Sequence, residues 1–157
     1  RGEGQALFLI ARALRPTLIV DAYAGTGYTA ACLAAGAPEA TVLSADKEER
    51  YVYAARALVK RLGLTNVTVF HGRAVAIRLE MGGRDPELIL RDAYNEDDLG
   101  GTPRTVEITH DKQLPLSKGN SFLVAGGSHM IVSCSQVKTY ALLRDAVGAV
   151  MPIWEGA

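Results

Sequence analysis

One stretch carries the strongest chemical signal in this chain: Ile19-Val20-Asp21-Ala22-Tyr23-Ala24-Gly25-Thr26-Gly27-Tyr28-Thr29. A continuously apolar run, Thr17 to Val20, leads into it, and an Ala-rich helical stretch, about Thr26 to Ala35, leads out. Glycines at such a strand-to-helix turn allow positive φ and let a ligand approach the main chain, while the first N–H groups of the helix remain free to donate. Asp46 closes the next predicted strand, 46 − 27 = 19 residues after Gly27. In a doubly wound parallel sheet that carboxylate lies beside the first loop, where it can accept hydrogen bonds from two ribose hydroxyls. Strand, glycine turn, helix, strand and terminal acid together point to an adenosine-containing ligand more sharply than any one of them does.

Two ligand classes fit these residues. Gly25-Thr-Gly27-Tyr-Thr-Ala30 matches the G-x-G-x-x-A fingerprint of dinucleotide-binding folds. Asp21, four residues before Gly25, opposes that reading, because a pyrophosphate would meet an unpaired carboxylate there. A sulfonium ligand with a free amino group would welcome it. The segment resembles motif I of class I S-adenosylmethionine-dependent methyltransferases, and GTGYTAACLA is similar to the form found in small-molecule O-methyltransferases of the catechol and caffeoyl-CoA type.

The resemblance runs from about Gly2 to Asn95. Gly4-Gln5-Ala6-Leu7 resembles the family's G-Q-x-L, Asp46 its ribose-binding acid, and Gly72-Arg73-Ala74 the G-D-A near the adenine. Leu88-Ile-Leu-Arg-Asp92-Ala93 falls on the fourth strand's D-L-I-F-I-D-A, and Leu114-Pro-Leu with Lys118-Gly-Asn-Ser-Phe-Leu-Val resembles the antiparallel strands that close the sheet. The resemblance implies S-adenosylmethionine as cofactor and S-adenosylhomocysteine as product. It assigns the methionine end to Asp21, Ala22, Tyr23, Gly25, Thr26, Gly27 and Tyr28, the ribose to Asp46 beside Lys47, the adenine to Arg73 and Ala74, and the acceptor side to Asp92 as catalytic residue. Three departures stand out. Tyr23 replaces a glycine, Arg73 replaces an acid, and no P-G-G strand with flanking helices follows the fourth strand. An aromatic residue at the position of Tyr23 is similar to a plant branch of methyltransferase-like proteins with a degenerate motif I.

Methyl transfer from a sulfonium needs mainly in-line positioning, because the leaving group is already activated. A hydroxyl acceptor also needs its proton removed, by a base or by a divalent metal. Asp92 is the candidate for either role, with Asn95 beside it. One carboxylate and one amide make a poor Mg²⁺ site, so no metal set is assigned. The plainer reading of Asp92 is a strand-end carboxylate that is solvated or caps a helix. Asp92-Ala-Tyr-Asn95 also resembles the D-P-P-Y of amino-methylating nucleic-acid enzymes, without the prolines. His71 reads as a packed or surface histidine, His110-Asp111-Lys112 as a solvated turn, and Lys47 to Arg50 as the exposed first turn of a helix. Trp154 and Glu155 lie over the cofactor if the chain ends are joined; otherwise Trp154 is a tail anchor. No Cys/His cluster has zinc spacing, and no Ser-centred nucleophile elbow occurs.

These residues need a scaffold, and the pattern supplies one. Helices are predicted over Gln5–Leu14, Thr26–Ala35, Lys47–Leu62 and Ala74–Met81, alternating with strands at Thr17–Val20, Thr41–Ala45, Val67–Phe70 and Glu87–Leu90. That alternation predicts an α/β fold with a Rossmann-like, doubly wound, mainly parallel sheet. The polar stretch Asn95–Thr102 breaks the rhythm. Arg104–His110 and Ser121–Ala125 are then expected to pair as an antiparallel closing hairpin, before a helix over Val137–Val150 with Ser133 or Ser135 as N-cap. Gly127-Ser-His-Met130 has the form of a cleaved-tag remnant. On that reading the chain is circularly permuted, with 130–157 naturally preceding Arg1. The alternative is an ordinary loop before a core strand, Met130–Ser133.

Composition bounds the rest. With 157 residues, 48% of them hydrophobic, the chain makes one domain, 1–157. Lys+Arg equals Asp+Glu at 17 each, so the basic footprint of a nucleic-acid binder is missing. No apolar run reaches the ~18 to 20 residues of a membrane span, and Ala6–Leu14, interrupted by Arg12, is no signal peptide. Cys32 and Cys134 read as free thiols of a reducing compartment, which predicts a cytoplasmic protein, with a single disulfide as the alternative; a homodimer is compatible with this reading. The leading functional reading is S-adenosylmethionine-dependent O-methyl transfer to a small molecule. The alternatives are a binding or interaction domain that lost turnover, and a nicotinamide-dependent oxidoreductase.

Overall fold

The computed structural model describes residues 2–91, 105–109, 121–126, 130–134 and 136–155, with the side chains of 121, 122 and 155 excepted. The predicted alternation is present from the start. Helix α1 (Gly2–Leu14) ends where Arg15 takes a left-handed φ of 49° and donates its N–H to Ala11 O, and Pro16 forbids continuation. Strand β1 (Leu18–Asp21) follows, then α2 (Tyr28–Gly36), β2 (Thr41–Asp46), α3 (Glu49–Arg61) and β3 (Val67–His71). A single 3₁₀ turn (Ala74–Ala76) runs into the short α4 (Ile77–Glu80), before β4 (Leu88–Arg91). The remaining described elements are β5 (Val106–Thr109), β6 (Ser121–Ala125), β7 (Met130–Cys134), α5 (Val137–Gly148) and β8 (Ile153–Glu155).

The strands form one sheet in the order β3-β2-β1-β4-β5-β7-β6-β8. β1 to β5 are mutually parallel, and β7 lies antiparallel between β5 and β6. All four residues of β1 are buried, because both faces of the sheet are covered there. On one face α1, α2 and α5 pack over Ile19, Val42, Leu88, Leu90, Ile108 and Val132, while Val52, Ala55 and Val59 of α3 cover Val69. On the other, Ala74, Ile77 and Met81 cover Leu18, Val20, Leu43, Ala45 and Ile89. Alternate residues of each strand thus serve opposite faces. Two side chains lock the frame: Glu87 accepts from Thr17 N and Oγ1 at 2.9 and 2.8 Å, tying the entries of β1 and β4, and Arg56 donates to Val69 O on edge strand β3.

The second half corrects three expectations. β5 and β6 do not form a hairpin with each other; each pairs antiparallel with β7, which inserts between them. The reason is burial: all five residues of β7 are buried, so it needs a neighbour on both sides. The N-cap of α5 is Gln136 and makes no side-chain cap bond, while Ser133 lies inside β7. Ile153–Glu155, unassigned from sequence, is an edge strand beside β6, so Trp154 stands at the far end of the sheet from β1 and β2, 59% exposed. Residues 92–104, 110–120, 127–129 and 135, which include Asp92, Asn95, His110, Asp111, Lys112, His129 and Ser135, lie outside the described residues.

Gly27 is the tightest point of this frame. Its φ is +85°, and a Cβ there would sit 2.8 Å from Ala55 Cα on α3. Gly27→Ala is therefore expected to lower stability by about 2–4 kcal/mol, from left-handed strain plus overpacking, as read by urea unfolding. An unchanged midpoint would show that α2 and α3 do not meet there.

Candidate functional site

The site is built where β1 ends between its two neighbours. Ala22 N–H donates to Leu90 O of β4 at 3.0 Å, and Ala24 N–H donates to Ala45 O of β2 at 2.8 Å. The chain thus crosses the C-terminal edge of the sheet at the point where its order reverses, the place where α/β sheets open a crevice for ligands. Gly27 N–H closes the turn onto Ala24 O at 2.7 Å, and Gly25 holds a φ of +49° with nothing within 4 Å of where a Cβ would be. Its outer surface is open for close approach.

Asp46 meets this turn. Its Oδ2 accepts from Gly25 N–H and its Oδ1 from Glu48 N–H, both at 2.9 Å, and the residue is 8% exposed. A carboxylate offers about four acceptor positions, so one on each oxygen remains for a ligand hydroxyl. The third loop joins them: Gly72 N–H donates to Asp46 O at 2.9 Å, and His71 Nε2 lies 3.1 Å from Lys47 O. The loops after β1, β2 and β3 are therefore knitted around one acid.

Asp21 faces elsewhere. It is wholly buried, and its Oδ2 accepts from Thr29 Oγ1 at 3.1 Å and Ser44 Oγ at 2.9 Å. Thr29 stands in the first turn of α2, so the carboxylate also lies at the positive end of that helix. Asp21 braces the turn from below, joining β1, β2 and α2. The half-buried Tyr23 ring packs with Phe70 against the cluster of Ala22, Ala45, Ala74 and Ile77. Ala74, within that cluster, is buried, and the adjoining Arg73 is exposed.

Comparison with solved structures places this arrangement. A methyltransferase from Geobacter sulfurreducens matches with a TM-score of 0.67 and 20% identity, over 85% of this chain and 78% of that one. The O-methyltransferase TomG from Streptomyces achromogenes, involved in tomaymycin synthesis and solved in complex with SAM, matches at 0.66 and 17%, over 85% and 80%. An O-methyltransferase from Bacillus cereus in complex with SAH matches at 0.63 and 16%, over 84% and 80%. The chain has the fold of these methyltransferases. No family model matches its sequence, and no curated protein does.

Within the methyltransferase fold, the structure brings Ala22, Tyr23, Gly25, Gly27, Asp46, Lys47 and Ala74 to one end of the sheet. Thr26 is exposed on the outer side of the turn. Tyr28, though 52% exposed, reaches back to α1, where a Cβ on Gly4 would overlap its hydroxyl. That contact couples the G-Q segment to the glycine turn. The neighbouring Cys32 pushes the Tyr28 hydroxyl pKa up through charge and a hydrogen bond, and burial raises the Cys32 thiol itself. Both cysteines are free thiols. Asp92 lies outside the described residues; the preceding Arg91 pairs through Nε with Glu107 Oε1 at 3.1 Å. Sequence reasoning missed Thr29 and Ser44 as partners of Asp21. The signal was there for Ser44, the one polar break in the middle of an otherwise apolar strand, Val42-Leu-Ser-Ala45.

Ser44→Ala removes a hydroxyl from a buried carboxylate. It should cost about 1–3 kcal/mol in denaturant unfolding. Wild-type stability would mean that Ser44 does not serve Asp21.

Proposed function

We propose that the protein binds S-adenosylmethionine and transfers its methyl group to a hydroxyl of a small molecule, releasing S-adenosylhomocysteine. The observation that carries this reading is the 2.9 Å bond from Gly25 N–H to Asp46 Oδ2, which sets a ribose-type acceptor against a glycine turn at the open end of the sheet. The solved structures with this fold that hold SAM or SAH support the choice of cofactor.

The residues present fit such a ligand. Asp46 keeps acceptor positions for ribose hydroxyls, the open surface of Gly25 admits close approach, and the first N–H groups of α2 suit a carboxylate. We place the base beside Ala74, with Lys47 and Arg73 bordering it. When bound, the sulfonium supplies an activated methyl group. The chain's own task is to orient the acceptor in line and to take its proton, which we assign to Asp92 just beyond β4. Asp21 acts through Thr29 and Ser44 by holding the turn. Zero net charge favours a small-molecule acceptor over nucleic acid, and the free thiols suit a cytoplasmic setting.

A second reading, a domain that binds the cofactor without turning it over, is favoured by the tyrosine at position 23, where the motif that the glycine turn resembles has glycine. Calorimetry with S-adenosylhomocysteine and NADP separates the ligand classes. Heat with the first and none with the second is expected, and the reverse would end the methyltransferase reading. Asp46→Ala should weaken S-adenosylhomocysteine at least about tenfold, given ~1.5 to 3 kcal/mol for hydrogen bonds to a charged group.

A further inference from the structure

We infer that the free edge of β3 is a pairing surface for a second copy of this chain and that Arg56 keeps it shut. The inference concerns a side chain with no part in the cofactor reading and stands apart from that reading.

The backbone of β3 decides which groups face outward. β3 ends the sheet, and among the described residues only β2 pairs with it. Asn66 O accepts from Val42 N–H and Gly72 N–H donates to Asp46 O, each at 2.9 Å. In the same alternation Thr68 and Phe70 turn their N–H and C=O toward β2, so Val67, Val69 and His71 turn theirs away from the sheet. Their spacing suits one partner above others. When a second β3 runs antiparallel about Val69, the two Val69 residues exchange N–H and C=O with each other, and Val67 exchanges with His71 of the second copy. A strand that matches its own inverted copy in this way makes a closed two-fold pair. Val67-Thr-Val-Phe70 is β-branched and aromatic throughout and carries no charge of its own, the composition of an edge that pairs.

Arg56 stands in the way. Its neighbour Ala55 faces the core, and its own side chain reaches from α3 to the sheet edge, placing Nε 3.1 Å and Nη2 2.8 Å from Val69 O. That carbonyl is the centre of the self-matching register. A second strand therefore meets a charged head at the point where the two copies must touch.

Arg56→Ala removes the head and leaves every bond between β2 and β3 in place. Sedimentation over a range of concentrations should then find a species of about twice the mass of the wild type, which takes no such step. Amide exchange identifies the surface. The Val67, Val69 and His71 amides should exchange fast in the wild type and slow by at least about tenfold in the concentrated variant. The Thr68 and Phe70 amides, already bonded to β2, serve as the internal standard. A merely structural role for Arg56 would instead speed exchange across β3 without adding mass. Arg56→Ala that keeps the wild-type mass at every concentration overturns the inference, and so does added mass with those three amides still exchanging fast. If Arg56→Ala does not fold, Arg56→Gln, which keeps a polar side chain on α3, decides by the same two measurements.

Discussion

A single buried carboxylate organises the open end of this sheet. Asp46 accepts from Gly25 in the turn after β1 and from Glu48 at the head of α3, and its carbonyl takes the N–H of Gly72 after β3. Three loops that belong to three different βα units are thereby held at fixed distance from one another. Hydrogen bonds to a charged acceptor are the stronger kind, and Asp46 is nearly excluded from water, so this is a stiff junction. Asp21 repeats the device one layer down, tying β1 to β2 and α2 through two hydroxyls. The backbone of the glycine turn is thus supported from beneath and from the side.

Such support suits chemistry in which the protein positions more than it reacts. A crevice that need only hold a nucleoside and line up an acceptor asks for rigid main-chain geometry, one acceptor carboxylate and an open glycine surface. Those are the features found at the end of β1 and β2. The other half of the sheet is built differently. There the strands turn antiparallel, and an ion pair between the buried Arg91 and the partly exposed Glu107 lies on β4 and β5. The sheet therefore changes character across the point where its order reverses.

How much of this was legible in the sequence follows from the range of the interactions. The strand–turn–helix unit and its distant acid were readable because Gly25, Gly27 and Asp46 are constrained by local φ and by the length of one βαβ unit. The parallel half of the sheet followed from its period. The hairpin was misread because strand pairing depends on relative burial: Met130–Cys134 is buried throughout and displaces its neighbours to reach the middle of the sheet. β8 is three residues long, too short to carry a period. For Asp21 the position along the chain is visible in the sequence and the direction of its side chain is not. Only the placement of Thr29 and Ser44 turns it inward.

The junction at Asp46 is also the point where the account is most exposed to test. The amide protons of Gly25 and Glu48 report directly on the two bonds its carboxylate accepts. In a ¹H–¹⁵N spectrum titrated with S-adenosylhomocysteine, both resonances should shift together and saturate as ribose hydroxyls come to share that carboxylate. Saturated binding that leaves both amides unmoved would contradict the account, because the nucleoside would then lie somewhere other than between the glycine turn and Asp46.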